Sequence, residues 1–313
     1  MSDEFLFIKS ITPQRHHQRT LIQGIGDDAA LFRQDGNFNM IACVDTMVED
    51  IHFKKSTMRP FHIGHKALAV NLSDIAAMGG RPTYYLVSLA VPQKGWTQDE
   101  LHGIYEGMSM LADKFSVDLI GGDTVSSSSS LMITVTVLGQ VETNRMLLRK
   151  NAEPGDVVFV TGTLGGAAAG LFLLLKKGID YDYSDDEKKL LSEHQMPEPQ
   201  IEAGRLFAGS GFRISLNDIS DGIASEANEL AEMSGTTFIL NYDLIPVNNV
   251  LTRLFLKKME QFVLYGGEDF ELLGTVASEN WPLLKRTFDK ASIPLTNLKK
   301  LAKEGYNHFK ENE

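Results

Sequence analysis

Cysteine is nearly missing from this sequence: Cys43 is the only one among 313 residues. That excludes an internal disulfide and any CxxC metal or redox motif. Long apolar runs are missing too. The longest nearly unbroken one, Gly165 to Leu175, has 11 residues, against the roughly 20 that a membrane-spanning helix needs. Basic excess is also missing, since 30 Lys and Arg face 41 Asp and Glu for a net charge of −11. A dedicated nucleic-acid binder needs a cationic footprint to displace counterions from phosphates, so no nucleic-acid partner is expected. The start, Met1-Ser2-Asp3-Glu4 and then Phe5 to Ile8, offers neither the basic segment nor the long apolar segment of a secretory signal. The expectation is a soluble cytoplasmic protein with no membrane partner.

Several catalytic signatures are absent as well. There is no GxxxxGK[ST], GxSxG or HExxH, and no run of acids with EF-hand spacing. Gly24-Ile25-Gly26-Asp27-Asp28-Ala29 fits the dinucleotide-loop pattern formally, but only the short Leu21-Ile22 precedes it, and two acids inside the loop would repel a pyrophosphate.

What is present is a globular composition, 43% hydrophobic and 23% charged, at a length suited to two domains. Periodicity predicts alternating strands and helices, hence an α/β chain. Strands are expected at residues 39–45, 83–91, 131–138 (ending at Gly139), 157–161, 213–218 and 270–276. Helices are expected at 62–78, 101–115, 165–177 and 222–233, the last closed by Gly235. The stretch 180–195 reads as a polar insertion and the serines 126–130 as a mobile loop. A polar, turn-rich segment between Glu142 and Asp156 marks the boundary between a domain of residues 1–144 and one of residues 145–313.

Acids recur beside glycine at the ends of apolar segments: Gly26-Asp27-Asp28, Val44-Asp45, Ser73-Asp74, Gly122-Asp123, Asp218-Ile219-Ser220-Asp221-Gly222 and Gly267-Glu268-Asp269. Taken singly, each reads as turn chemistry. Asp74 differs because it falls inside the apolar stripe of its helix, and Asp218 because alternation puts it on one face with Ile214 and Leu216. If these carboxylates converge, two of them about 5 Å apart repel by roughly 3 kcal/mol at an effective dielectric of about 20. Protons or hard cations must relieve that, and dispersed acids with attendant glycines suit Mg²⁺ shared with a polyphosphate.

The segments 24–30, Val44-Asp45-Thr46 with His52-Phe53, 66–79, Leu119-Ile120-Gly121-Gly122-Asp123-Thr124, 160–165, 218–223 and 265–270, in this order, together resemble the thiamine-monophosphate kinases, a family of the aminoimidazole ribonucleotide synthetase-like superfamily. The likeness extends to Gly305-Tyr306-Asn307-His308-Phe309. It implies a two-domain synthetase-like α+β fold, in which N-terminal sheets pair into a barrel across a homodimer and the C-terminal half is an α/β sandwich. It also implies ATP-dependent phosphorylation of thiamine monophosphate to thiamine diphosphate by direct in-line transfer, with several Mg²⁺ ions, K⁺, and no catalytic side chain beyond the metal cluster. By position, Asp27, Asp45, Asp74, Asp123, Asp218 and Asp221 match metal ligands. Tyr105, Gly122, Asp123, Arg149 and Ser220 match ATP contacts, and His52, Glu268 and Tyr306 match acceptor contacts. Cys43 and Val44 stand where the family usually has Ser/Thr-Thr, so a metal contact at Val44 would use its backbone carbonyl. Read from the residues alone, Tyr105 would be core, Ser220 or Asp221 a helix N-cap, and Glu268 a turn acid. Other superfamily chemistries, a purine-pathway or selenophosphate-type synthetase, and a non-catalytic divalent-cation module are the alternatives.

Overall fold

The computed structural model describes residues 19–34 and 36–300. Two sheets organise them. The first has the order β1 (Leu21–Gln23), β2 (Ala30–Arg33), β3 (Phe38–Val48), β6 (Met132–Glu142), β4 (Arg81–Pro92), β5 (Asp118–Ser127). All its pairings are antiparallel except β4 with β5. Two helices follow from that topology: α1 (Pro60–Ala77), and α2 (Gln98–Phe115), which carries the parallel crossover from β4 to β5. Proline at the first turn starts α1, and a reciprocal capping box between Thr97 and Glu100 starts α2. The two helices approach closely at glycines: a Cβ on Gly64 would lie 1.7 Å from Ile104 O, and one on Gly107 would lie 1.9 Å from Phe61 O.

The second sheet is antiparallel throughout, in the order β10 (Leu295–Lys300), β7 (Val157–Thr161), β9 (Leu272–Val276), β8 (Ile214–Asp218). Around it lie α3 (Gly166–Lys177), α4 (Asp185–Gln195), α5 (Ile201–Gly209), α6 (Ile223–Ser234), α7 (Asn249–Leu254), α8 (Met259–Tyr265) and α9 (Trp281–Lys290). The main apolar core runs from one sheet to the other, joining Leu31, Ile41, Leu72 and Ile75 to Phe159, Phe207 and Leu216. Arg205 on α5 donates to Gly79 O at 2.6 Å and to both Glu142 oxygens, at 2.7 and 2.9 Å. These bonds fasten the second half to the end of the first.

Several expectations need correction. The strand expected to end at Gly139 runs on to Glu142, because Gly139 is paired on both sides, with Ile41 and with Pro82. The polar stretch 180–195 contains α4, started by a second capping box between Ser184 and Glu187. Ser126 and Ser127 extend β5 opposite Val91 and Pro92, which leaves only Ser128 to Ser130 in the turn. All five residues of β8 are buried, so Asp218 is interior without any alternation of faces. Among the described residues no helix is long and apolar enough to cross a membrane.

Candidate functional site

Three elements deliver carboxylates to one place. Asp28 sits in the loop before β2, Asp74 in the last turn of α1, and Asp218 at the end of β8. One oxygen from each lies within 4.8 Å of the others. Asp45, on β3, lies beside Asp74. The Asp28 carboxylate is fully covered, and its Oδ2 is buried without a hydrogen-bond partner. Ser73 donates to Asp218 Oδ2 at 2.6 Å.

Burial, with the like charges of Asp218, Asp45 and Asp28 added to it, pushes the Asp74 carboxyl well above the ordinary range. Burial and Asp28 push Asp218 up to about 8, and burial also raises Asp28 and Asp45. Such a site discharges itself by holding protons or by binding cations. Its donors are all oxygen and one of them is unpartnered, which fits a hard divalent cation such as Mg²⁺.

The geometry brings together a set that differs at one position from the expected one. Asp28, not Asp27, joins Asp74 and Asp218. Asp27 turns its carboxylate to the backbone, accepting from Arg149 N and Asp28 N at 3.2 Å each; burial and its acidic neighbour raise it to about 7. Cys43 does not offer its sulfur as a ligand. The side chain is buried, its thiol donates to Asn71 O at 3.4 Å, and burial beside Asp74 and Asp45 holds it protonated. Val44 is on the opposite, exposed face of β3. Asp123 and Asp221 are exposed and stand outside the cluster, Asp123 accepting from Thr124 N at 2.9 Å.

The residues matched to ATP contacts surround this point unevenly. Arg149 pairs with Asp28 and Glu229, and its carbonyl accepts from Ser215 Oγ at 2.5 Å and Ser234 Oγ at 2.7 Å. Ser220 and Asp221 form the loop into α6, held by Glu226, which accepts from Ser220 Oγ at 3.3 Å and Asp221 N at 2.9 Å. Glu226 is buried and pushed up to about 9. Gly122 lies on β5 so close to β4 that a Cβ would meet Val87 O at 1.8 Å. Tyr105 packs half-buried against the main core.

Of the acceptor-matched residues, His52 is exposed after β3, its Nδ1 accepting from Val48 N at 3.0 Å, which leaves Nε2 pointing elsewhere. Glu268 meets Lys66 at 2.6 Å and His194 at 3.0 Å. Although it is half-buried, these partners hold its carboxyl down at about 2. Tyr306 lies outside the described residues. Neither Lys66 nor His194 is legible as a site residue in the sequence: the first reads as the polar side of a helix, the second as part of the polar stretch that became α4.

A separate cavity of about 320 Å³ is lined by Glu193, Asp269, Glu271 and Gln200, among others. Its acids are engaged internally. Asp269 accepts from Gly165 N and Ala167 N at the start of α3, and Glu271 accepts from Thr161 Oγ1 and Gln200 Nε2. The acid of the Gly267-Glu268-Asp269 motif nearest that cavity is therefore a helix cap.

Comparison with known proteins shows the family. Family models described as AIR synthase related protein, N-terminal domain and C-terminal domain, match residues 26–141 and 153–291. The thiamine-monophosphate kinase of Bacillus subtilis (strain 168) is 46% identical, over 98% of this chain and 100% of its own length. The crystal structure of thiamine-monophosphate kinase from Stenotrophomonas maltophilia K279a superposes with a TM-score of 0.80 at 32% identity, covering 92% of this chain and 90% of that one. A structure described as AaThiL complexed with AMPPCP and TMP gives 0.82 at 29% identity, covering 96% and 89%.

Proposed function

Since the chain belongs to the thiamine-monophosphate kinases, within the AIR synthase related proteins, we propose that it transfers the γ-phosphoryl group of ATP to thiamine monophosphate, giving ADP and thiamine diphosphate. The observation that carries this reading is the convergence of Asp28, Asp74 and Asp218 from three separate elements. Both reacting groups are anionic phosphates, so the transfer needs charge compensation and alignment more than covalent help from the protein. Asp28, Asp74 and Asp218 would hold Mg²⁺, with Asp45 beside Asp74 and the Val44 carbonyl adjacent. When bound, Mg²⁺ supplies neutralisation of the phosphate oxygens. The acceptor is already an anionic phosphate, so no general base is assigned.

The chain's own residues then have positional work. Arg149 offers a fixed guanidinium beside the cluster, and its present partners Asp28 and Glu229 hold it there. The Ser220-Asp221 loop, stiffened by Glu226, and Gly122 with Asp123 on β5 are assigned to the nucleotide, as is Tyr105. Asp123 and Asp221, outside the cluster of three, are assigned to metal only as nucleotide-side ligands. His52, Glu268 and Tyr306 are assigned to thiamine monophosphate.

The same reading includes a homodimer in which two first sheets face each other. It is supported by apolar exposure on that sheet: Leu119, Ile120 and Val125 on β5, Tyr84 on β4, Val44 on β3 and Met132 on β6. A division into residues 1–144 and 145–313, a K⁺ requirement and a cytoplasmic setting complete it. The buried, protonated Cys43 suits no selenide-handling nucleophile, which argues against that branch of the superfamily.

The test is ADP release from MgATP with thiamine monophosphate, with thiamine diphosphate identified as product. Release indifferent to the acceptor rejects the kinase. Metal affinity untouched by nucleotide would point instead to a cation-binding module.

A further inference from the structure

Lys66 is 1% exposed and His194 2%, yet neither is used by the acid cluster. Both end on Glu268, whose side chain keeps 30% of its surface open. Lys66 Nζ donates to Oε1 at 2.6 Å, and His194 Nδ1 donates to Oε2 at 3.0 Å. The second bond fixes the imidazole as the Nδ1–H tautomer, so the 3.4 Å approach of Lys66 to the same nitrogen is a contact between two donors and not a hydrogen bond. The carboxylate has about four lone-pair sites, and the two protein donors take one on each oxygen.

The backbone of the same residue is pinned as well. Glu268 N donates to Ser220 O at 2.7 Å and Phe270 N to Ile219 O at 2.9 Å, while Glu268 and Phe270 hold φ of 70° and 49°. Two non-glycine residues in the left-handed region, two residues apart, mark a loop held in shape by its surroundings. A buried ammonium is costly to keep where methionine of similar length would pack. Among the described residues, Glu268 is the acid with which Lys66 pairs.

We propose that Lys66 and His194 are positioning residues for the acceptor site. By holding one oxygen each, they turn the remaining lone pairs of Glu268 toward thiamine monophosphate, a substrate that presents an aminopyrimidine N–H and a thiazolium cation. The proposal rests on the assignment of Glu268 to the acceptor. The alternative is that the three side chains merely rivet α1, α4 and the loop together.

Steady-state kinetics with each substrate varied separate these cases. For Glu268→Gln, KM for thiamine monophosphate is expected to rise about tenfold or more with KM for ATP within about twofold. His194→Leu and Lys66→Met are expected to reproduce that selective rise, and His194→Asn, whose amide N–H can stand where Nδ1–H stood, to recover most of it. Lys66→Met combined with Glu268→Gln is expected to be no worse than Glu268→Gln alone within about twofold, because the two act through one group. If Glu268→Gln leaves the acceptor KM unchanged, the assignment of Glu268 falls. If Glu268→Gln raises it and His194→Leu does not, the positioning role falls while that assignment stands. Equal loss in His194→Leu and His194→Asn, spread over both substrates and kcat, also overturns it. Should Lys66→Met not fold, the two His194 variants carry the decision.

Discussion

Helix α1 carries two buried ionisable sites of opposite design. Lys66 and Asp74 are eight residues apart on it, about 12 Å along the axis at the usual rise per residue. At Lys66 the charge is compensated inside the protein: ammonium, carboxylate and neutral imidazole satisfy one another, and Glu268 stays ionised with its carboxyl at about 2. At Asp74 nothing of the kind is provided. Its neighbours Asp28, Asp45 and Asp218 are also acids, and Arg149, shared with Glu229, is the nearby cation. The first arrangement is one of fixed polarity, which the proposed positioning role assigns to recognition of the acceptor. The second is unstable as an anion, and on the proposed function that instability would be relieved by a cation.

The largest test of this contrast is Asp74→Asn. It removes from the centre of the cluster a donor that a bound cation would hold as the anion. We expect kcat to fall about a thousandfold or more, on the scale of losing a principal electrostatic stabiliser. The metal-free protein should melt no lower than wild type at pH 8, because an amide replaces a group that burial keeps protonated. Unchanged turnover would remove Asp74 from the metal site.

A somewhat smaller effect separates the neighbours Asp27 and Asp28. Asp28→Asn is expected to lower kcat about a hundredfold, and Asp27→Asn by no more than about fivefold, since Asp27 serves the Arg149 backbone and not the cluster. The reverse order would return the ligand role to Asp27. Next in size is the effect of metal on melting. Mg²⁺ at about a hundred times its dissociation constant should raise the wild-type melting temperature by about 5 °C. It should leave Asp74→Asn nearly unmoved, and it should act on Lys66→Met as on wild type. Equal Mg²⁺ shifts in Asp74→Asn and wild type would show that the metal binds elsewhere.

The sequence carried the acid side of this contrast and hid the other. Asp74 was legible because a carboxylate inside an apolar helical stripe violates burial chemistry, and the helix around it, like the strands at 157–161 and 214–218, followed from periodicity. Asp28 and Asp27 could not be told apart, since adjacent residues in a loop have no periodicity to assign a direction; in the fold Asp27 turns to the Arg149 backbone and Asp28 to the cluster. β5 was missed because Gly121, Gly122 and the serines mask its strand pattern, although pairing with β4 makes it one. Lys66 and His194 are ordinary polar residues until a fold brings α1, α4 and the 266–270 loop together over 128 and 202 positions of chain, and no local pattern encodes that meeting.

The smallest effect is in the pH dependence of stability without divalent metal, and its sign distinguishes the two designs. Asp218 stands near 8 in the folded protein, and Asp269, at the cap of α3, also near 8, against an ordinary 3.8. A folded value above the unfolded one means that the native state holds protons the unfolded state has released. That contribution is complete below the ordinary value and is lost as pH rises through about 8. Glu268 has the opposite sign, contributing fully above its ordinary 4.5 and losing that contribution only as pH falls toward 2, so it is silent above pH 7. Histidines pushed below their ordinary value, such as His65 near 4, are neutral in both states there. The melting temperature should therefore fall by a few degrees from pH 7 to pH 9. Asp218→Asn should flatten part of that slope, and Glu268→Gln should leave it unchanged. Saturating Mg²⁺ should flatten part of it in wild type, because a cation takes the place of the protons at Asp218, while Asp269 and Glu226, pushed up to about 9, keep the remaining slope. A melting temperature that rises over this interval would mean that the acids are already ionised and solvated, and the contrast between the two ends of α1 would collapse.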